Sequence, residues 1–303
     1  MKKVKIIGIV PCYNELSKGH LNRFLTNIDK VVDGLVILDD ASTDGSYERA
    51  LEYTPNVLRN KKNLFLFEHM NTQVLINKAL ELYPDLTHIL SLNIDCTFSP
   101  ACYKDGDALI HKFCRDYPDQ WDMFTMRNIN LWRSKYWWRI DRDWKWHKAE
   151  RVYIRDKGLE IVDKWHFGLH QMRVTANLNS TTCISQMNGF GDALTLHWGL
   201  ESRDLIREKF HYYMRLEQRH VPCPDFFHSS NVFNLLDEYN LKVAQISPNW
   251  MDEDVKKEIV DFRRPKPISY YSDLLTYDER KANCYRDHFK EILNHHNEVD
   301  EYF

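Results

Sequence analysis

The chain has 303 residues, of which 43% are hydrophobic and 28% charged, and its formal net charge is -3. This composition predicts a protein with a substantial apolar core and excludes disordered and fibrous classes. The small negative charge excludes a general attraction to polyanions, so contact with nucleic acid or anionic lipid would need a local basic patch.

Seven cysteines are scattered along the chain without a CxxC pair. Their odd number and irregular spacing disfavour a disulfide framework and a zinc knuckle, and favour reduced thiols. The longest early apolar run, residues 6–10, is too short to span a bilayer. The sequence therefore predicts a cytoplasmic protein without a transmembrane segment, which could still attach peripherally to the inner face of the membrane.

The first hundred or so residues alternate short β-branched runs with stretches in which apolar residues recur at helical spacing. This alternation predicts a βαβ series, and hence a mostly parallel sheet flanked by helices. The predicted strands are residues 5–10, 35–38, 64–67 and 88–92, and the predicted helices are residues 21–32, 46–51 and 74–82.

Polar residues follow three of these predicted strands: residues 11–15 after the first, residues 39–46 after the second and residues 93–95 after the fourth. In open α/β sheets, ligands bind outside the carboxyl ends of the strands. The sequence therefore predicts a ligand site where these three segments meet.

Three phosphate-handling schemes fail on specific residues. Neither GxGxxG nor GxxxxGK[ST] occurs, so dinucleotide and P-loop sites of those types are unsupported. Residues 93–97 resemble the DxDxT loop of haloacid-dehalogenase-like phosphatases, but Asn93 stands where that loop has its nucleophilic carboxylate, and an amide cannot form an acyl phosphate. Residues 39–43 fail the same pattern because Ala41 takes the second acidic position.

The remaining scheme fits better. The segment VPCYNE at residues 10–15, followed by LDDASTDGS at residues 38–46, resembles the opening of family 2 glycosyltransferases. The segment LNIDCTFSP at residues 92–100 then stands where that family carries its DxD element, and LHWGL at residues 196–200 is similar to a His-aromatic-Gly segment of many bacterial members. The resemblance implies a Rossmann-type sheet of the GT-A kind and transfer of a sugar, with inversion, from a nucleotide-diphosphate donor. UDP-sugar is the default donor.

The resemblance also implies the donor-binding residues. These are Pro11, Tyr13, Asn14, Glu15, Asp39, Asp40 and Asn93. Within the acidic pair, Asp40 is the favoured acceptor for a base N–H or a ribose hydroxyl. The alternative for the pair is a solvated turn, since residues 43–46 have ordinary turn chemistry.

A divalent cation is expected at the diphosphate. The leaving diphosphate gathers negative charge as the glycosidic bond breaks, and a carboxylate-held Mg²⁺ or Mn²⁺ ion would stabilise that charge. Asp95 is the predicted ligand, and His197 is the second ligand if the ion is manganese. Asn93 and Cys96 stand where the family often has acids, so the cation affinity is expected to be lowered or the ion to be shared with His197.

The catalytic base should be a carboxylate beside the acceptor hydroxyl, because inversion by direct displacement requires a group that takes its proton. Asp192 and Asp141 are the leading candidates, and Glu150 and Asp163 are the alternatives.

Beyond residue 119 or so the βαβ pattern gives way to aromatic, basic segments. We therefore divide the chain into a nucleotide-sugar-binding region (1–120), an aromatic-rich acceptor-binding and catalytic region (121–262) and a helical tail (263–303). A helix beginning at Ser202 and containing Lys209 is predicted within the second region. The tryptophans of residues 132–146 could stack on sugars or bases, or could pack between the sheet and the helices.

Three functions follow as hypotheses. The first is a metal-dependent glycosyltransferase whose acceptor is a glycan, a lipid-linked molecule or a protein. The second is a phage-type transferase acting on a hydroxymethylated base of DNA, with the Arg and Trp residues forming its groove. The third is a non-catalytic protein that binds a nucleotide-sugar or a glycan.

Overall fold

The computed structural model describes residues 4–65, 68–103, 109–116, 123–140, 148–155, 159, 161–162, 174–175, 184–186, 192–202, 204–206, 208–209, 212 and 243–257. The first predicted region is therefore described almost throughout, and the second in parts. Asp141, Asp163 and the predicted tail 263–303 lie outside the described residues.

The described strands and helices alternate in the first half of the chain. The strands are β1 (Ile6–Cys12), β2 (Gly34–Asp39), β3 (Val57–Arg59), β4 (His88–Ser91), β5 (Cys96–Phe98), β6 (Met123–Asn130), β7 (Trp137–Arg139), β8 (Lys148–Ile154), β9 (Ile161–Val162), β10 (Val174–Thr175), β11 (Ile184–Gln186), β12 (Leu194–His197) and β13 (Val243–Gln245). The helices are α1 (His20–Ile28), α2 (Ser46–Tyr53), α3 (Glu68–Leu82), α4 (Leu109–Asp116) and the short α5 (Glu253–Lys256).

One sheet runs through the described parts of both predicted regions. Its order is β3-β2-β1-β4-β8-β6-β12-β5, and β11 also pairs with β6. The first four strands are parallel, whereas β8 is antiparallel to both of its neighbours and β12 is antiparallel to β5. The predicted α/β class, a mostly parallel sheet flanked by helices, is confirmed. Strand order reverses at β1, which lies between β2 and β4, and such a reversal opens a crevice at the carboxyl ends of the strands.

Alternate residues of β1 enter different apolar layers. Ile6 and Val10 belong to the layer that includes Phe24 and Ile28 of α1, whereas Ile7 and Ile9 belong to the layer that includes Leu75 of α3. Burial on both faces is typical of a central parallel strand, and it fixes the position of the carboxyl end of β1.

The predicted third strand is wrong. Leu64 and Phe65 are not in a strand, and the third strand is instead β3, where Val57 and Leu58 pair with Ile37 and Leu38 of β2. The apolar run at 64–67 looked like a strand by composition. Which segment pairs with β2 depends on tertiary contacts along the edge of that strand, and local composition does not specify those contacts.

Asp252 ties α1 to the C-terminal described segment. Its Oδ2 accepts hydrogen bonds from Asn27 Nδ2 (2.9 Å), Lys30 Nζ (2.8 Å) and Tyr103 Oη (2.6 Å), and its Oδ1 accepts from the backbone N–H of Val255 at 2.8 Å. Burial by itself would raise the pKa of Asp252, but these donors outweigh it and lower the pKa from 3.8 to about 2.

We expect Asp252→Asn to lower the free energy of unfolding by about 2 kcal/mol at pH 7, from the pKa shift. A carboxyl whose folded pKa is depressed stabilises the fold above its unfolded pKa, and this stability is lost as the pH falls through the folded value. The difference between variant and wild type should therefore shrink between pH 4 and pH 2, measured by urea unfolding. Asp254→Asn is the matched control, since exposed Asp254 contacts the same Lys30 and should leave stability nearly unchanged. A pH-independent difference would contradict the ionic explanation.

Within the described part of the chain, no helix has the length and apolar character needed to cross a membrane.

Candidate functional site

Two strands bring Asp95 and His197 together. Asp95 immediately precedes β5, His197 ends β12, and the antiparallel register places His197 opposite Cys96. The backbone N–H of Trp198 donates to the carbonyl of Asp95 at 2.8 Å, which joins the two strand ends. The two side chains predicted as cation ligands, 102 positions apart in sequence, are thus neighbours.

Lys209 completes what we call the Asp95 cluster, which consists of Asp95, His197 and Lys209. Asp95 Oδ2 lies 2.9 Å from His197 Nε2 and accepts a hydrogen bond from Lys209 Nζ at 3.0 Å. Lys209 Nζ also lies 3.3 Å from His197 Nε2. Residues 204–206 and 208–209 are helical, and Ser202 Oγ accepts from the backbone N–H of Leu205 at the start of this segment. The helix therefore delivers Lys209 to the strand ends.

Asn130 orients the imidazole of His197. Asn130 Oδ1 lies 2.7 Å from His197 Nδ1, and because an amide oxygen only accepts hydrogen bonds, Nδ1 carries the proton. Burial lowers the pKa of His197, and the charge of Lys209 lowers it further against the opposing effect of Asp95. The ring is therefore neutral near pH 7, and its Nε2 presents a lone pair to the cluster.

Asp95 is ionised in this cluster. Burial raises the pKa of its carboxyl, but the charge of His197 in its protonated form and the charge of the Lys209 ammonium outweigh burial and hold the pKa well below its usual range. With a neutral His197, the cluster combines one carboxylate and one ammonium and carries no net charge.

Gly199 leaves room for this arrangement. A Cβ at Gly199 would lie 2.8 Å from both His197 Nε2 and Lys209 Nζ and would overlap Asp95 Oδ2. The three side chains are therefore packed against the Cα of Gly199, where any larger residue would displace them. This explains the glycine of the His-aromatic-Gly segment.

The two carboxylates after β2 have different partners. Asp40 Oδ1 accepts from Asn60 Nδ2 at 2.6 Å, and both of its oxygens accept from the backbone N–H of Leu64, at 2.9 and 3.0 Å. Asp39 Oδ2 accepts from the backbone N–H of Ser42 at 3.1 Å and lies 3.3 Å from Arg59 Nε. Asp39 Oδ1 is buried and has no donor among the described residues. A buried carboxylate oxygen without a donor costs free energy, so Asp39 Oδ1 is an acceptor suited to a donor from a ligand. Asp40, in contrast, uses both oxygens to bind Asn60 and the backbone of Leu64.

The loop after β1 is locked to the loop after β2. Asn14 donates its backbone N–H to Ser42 Oγ at 2.9 Å, and its Oδ1 accepts from the backbone N–H of Thr43 at 2.8 Å. Asn14 and Ala41 both have positive φ, 52° and 65°, a conformation that costs energy in residues other than glycine. Strain of this kind concentrates at ligand sites, and here it lies beside Asp39 and Asp40.

Both carboxylate oxygens of Glu15 contact side chains that follow it closely in the sequence. Its Oε2 lies 2.7 Å from Nδ1 of His20, and its Oε1 lies 3.2 Å from Nζ of Lys18. His20 begins α1, and its Nε2 is buried without a partner among the described residues. The charge of a protonated His20 lowers the pKa of Asp95 and that of His197. Glu15 as a donor-binding residue stays a prediction, and its pairing with His20 could not be predicted because no motif marks a histidine at a helix start.

Three predicted donor-binding residues remain to be placed. Pro11 lies in β1 beside the strand end, and the carbonyl of Asn93 accepts the backbone N–H of Cys96 at 3.1 Å. The ring of Tyr13 stacks on that of Tyr212, with centroids 6.2 Å apart. Tyr13 is thus positioned near the helical segment that carries Lys209.

The structure does not bring Asp192 to the cluster. Asp192 precedes β12 while His197 ends it, so the extended backbone separates their Cα atoms by about 16 Å. The Asp192 side chain is exposed and its Oδ1 accepts from Trp250 Nε1 at 2.9 Å. Glu150 lies in β8, and the other two candidates, Asp141 and Asp163, lie outside the described residues. The identity of the base stays a prediction.

The described part of the aromatic segment is packed inside the protein. Trp132 and Trp138 are buried, and the Arg139 guanidinium lies 4.4 Å from the ring centre of Trp132. Arg133 and Arg139 are buried as well. Of the two interpretations of this segment, packing applies to these residues; Trp144 and Trp146 lie outside the described residues.

A divalent cation would find two protein ligands in the cluster. Among the described residues, no group of three or more His, Cys, Asp or Glu side chains could hold a metal ion. Asp95 Oδ2 and His197 Nε2 are 2.9 Å apart, close to the separation of about 3 Å between adjacent ligands of an octahedral ion with bonds of about 2.1 Å. The pair therefore fits an ion whose other ligands come from water or a bound ligand.

No family model matches the chain, and no curated protein matches it. Among solved structures, the chain is similar to residues 1–349 of S. aureus TarS, with a TM-score of 0.42 and 16% identity over 70% of this chain and 64% of that one. For the same fragment in complex with UDP-GlcNAc the TM-score is 0.44 and the identity 14%, over 76% and 70%.

A third similar structure is the glucosyl-3-phosphoglycerate synthase of Mycobacterium tuberculosis in complex with Mn²⁺, UDP-glucose and phosphoglyceric acid, with a TM-score of 0.26 and 14% identity over 42% of this chain and 44% of that one. The chain spans less than two thirds of the first TarS fragment. At these identities and TM-scores the likeness says nothing about what this chain binds or transfers.

Proposed function

We propose that the chain is a glycosyltransferase that takes a sugar from a nucleotide-diphosphate donor, with UDP-sugar as the first donor to test. One observation supports this most. The same edge of the sheet carries a buried acceptor that has no donor among the described residues, Asp39 Oδ1, and a cluster that includes an ammonium, Lys209 Nζ. A nucleotide-sugar offers complementary groups for both, namely N–H and O–H donors on its base and ribose and negative charge on its diphosphate.

In this proposal, Asp39 Oδ1 accepts a hydrogen bond from the base or the ribose, and the diphosphate lies at the Asp95 cluster. Asp95 and His197 would hold Mg²⁺ or Mn²⁺, and an imidazole ligand favours manganese over magnesium. When bound, that ion would stabilise the charge that develops on the leaving diphosphate. Lys209 contributes positive charge at the same place.

The acceptor hydroxyl would be deprotonated by a carboxylate. Asp141 is proposed first and Asp192 second, because Asp192 lies at the opposite end of β12 from His197. We propose a glycan, a lipid-linked molecule or a protein as the acceptor. The DNA alternative receives no support from the described residues, since Arg133 and Arg139 are buried rather than placed along an exposed groove.

The test is the release of nucleoside diphosphate from a panel of sugar donors by the purified chain with Mn²⁺. We expect release from at least one donor, and we expect Asp39→Asn to weaken binding of that donor by a factor of about 10 to 150, since a hydrogen bond to a charged group contributes about 1.5–3 kcal/mol. Calorimetry with the corresponding nucleoside diphosphate measures the affinity. Asp44→Asn serves as the control, because the Asp44 carboxylate binds only loop groups in the described part of the chain.

Binding without release from any donor would favour the non-catalytic alternative. An Asp39→Asn protein that binds as tightly as wild type would remove Asp39 from the site. No binding of any nucleoside diphosphate would overturn the proposed function.

A further inference from the structure

Lys209 occupies the position between the two predicted cation ligands. Asp95 Oδ2 and His197 Nε2, the two atoms that would ligate an ion, lie 2.9 Å apart. The Lys209 ammonium lies 3.0 Å from the oxygen and 3.3 Å from the nitrogen, so it contacts both atoms. In contacts and in charge, the ammonium stands where a bound cation would stand.

The ammonium and a divalent ion cannot occupy the cluster together. The three side chains are packed against Gly199, where even a methyl group would lie 2.8 Å from His197 Nε2 and from Lys209 Nζ. The ammonium also cancels the charge of Asp95, so an approaching ion meets no net attraction, and it would be strongly repelled by an ammonium a few ångströms away. An ion therefore enters only if Lys209 leaves.

The lysine side chain can move without moving its helix. It is a compact charge on a flexible four-carbon stem, and its side chain is 24% exposed. A group with more negative charge than Asp95 would draw the ammonium away, and the diphosphate of a nucleotide-sugar is such a group.

We propose that Lys209 excludes divalent cations from Asp95 and His197 until a diphosphate arrives, and that it then moves onto the phosphate oxygens and yields its place to the ion. This rests on the proposed function for the identity of the diphosphate. The consequence is that ion and nucleotide bind as a coupled pair, each raising the affinity for the other by the same factor.

The first experiment uses Mn²⁺ alone. The full chain is titrated with Mn²⁺, and free ion is measured by electron paramagnetic resonance for wild type, Lys209→Met and Lys78→Met. Lys78→Met removes the same charge from a surface pair with Glu81 on α3. We expect Lys209→Met to bind Mn²⁺ at least tenfold more tightly than wild type and Lys78→Met to match wild type. If Lys209→Met binds Mn²⁺ no more tightly than wild type, the exclusion proposal is wrong. Lys209→Gln replaces Lys209→Met if the latter fails to unfold cooperatively in urea.

The second experiment repeats the titration with UDP present. We expect UDP to raise the Mn²⁺ affinity of wild type more than tenfold, and that of Lys209→Met by a smaller factor, because exclusion has already been removed. If UDP raised the Mn²⁺ affinity of wild type and of Lys209→Met by the same factor, the proposed movement of Lys209 from Asp95 and His197 to the phosphate would be wrong. If UDP binds to none of the proteins, the proposed donor site fails, while tighter Mn²⁺ binding by Lys209→Met alone would still support exclusion.

Discussion

Replacing Asp95 with Asn is expected to lower donor turnover at least a hundredfold while the protein still folds. The amide keeps the shape of the side chain but removes the carboxylate that contacts both His197 and Lys209. Loss of the charge also removes the only carboxylate ligand that the cluster offers to a cation. Removing one electrostatic contact at a developing charge typically costs a factor of about 10² to 10³ in rate. Release of nucleoside diphosphate under saturating Mn²⁺ measures the effect.

The control for this variant is Asp85→Asn. Asp85 is an exposed carboxylate that also contacts a lysine, Lys5, and it lies before β4 rather than after it. Its replacement should leave turnover unchanged. Full activity of Asp95→Asn, with cooperative urea unfolding, would contradict the assignment of Asp95.

The second large effect is expected from Gly199→Ala. The added methyl group would overlap Asp95 Oδ2 and press on His197 Nε2 and Lys209 Nζ, so the cluster must open. We expect binding of both UDP and Mn²⁺ to weaken, with a loss of at least tenfold in the affinity for UDP measured in the presence of Mn²⁺. The backbone of Gly199 is not in the left-handed region, so an alanine there meets a steric clash and no backbone strain. The matched control is therefore another glycine at which an added methyl group clashes only with core side chains.

Gly8→Ala provides that comparison. A Cβ at Gly8 would lie 3.1–3.3 Å from the side chains of Leu35, Leu92 and Val32, away from the cluster. We expect Gly8→Ala to lose about 1–3 kcal/mol of stability from overpacking while UDP affinity is retained. If both variants lose affinity equally, Gly199 acts through general stability rather than through the cluster.

Part of this architecture could be predicted from sequence because it depends on local patterns. Buried β-branched runs predicted β1, β2 and β4 within a few residues, and polar residues after those strands indicated the strand ends at which we propose the site. Asp95 and His197 could be paired because each stands beside a recognisable strand. The partners of Asp39 and Asp40 could not be predicted, since they depend on how residues 60–64 fold back on β2.

Lys209 and His20 show the same limit. Lys209 reaches the cluster from the helical segment that follows Ser202, and His20 is the first residue of α1, whose N-cap is the left-handed Gly19. Neither position carries a motif, and neither the contacts of Lys209 with Asp95 and His197 nor that of His20 with Glu15 follow from sequence spacing. Side chains that enter a site from a helix depend on tertiary packing, which residue patterns do not specify.

The continuous sheet has a consequence for engineering. Strands β8, β6 and β12 pair onward from β4, so residues beyond 120 complete the sheet that the first hundred residues begin. A chimera that exchanged everything after residue 120 for a segment of another protein would also exchange His197, Gly199 and β12, whose pairing with β5 holds Asp95 beside His197. A design that exchanges the proposed acceptor-binding region should therefore keep β6, β8, β12 and the helical segment that contains Lys209, and should replace only the segments between them.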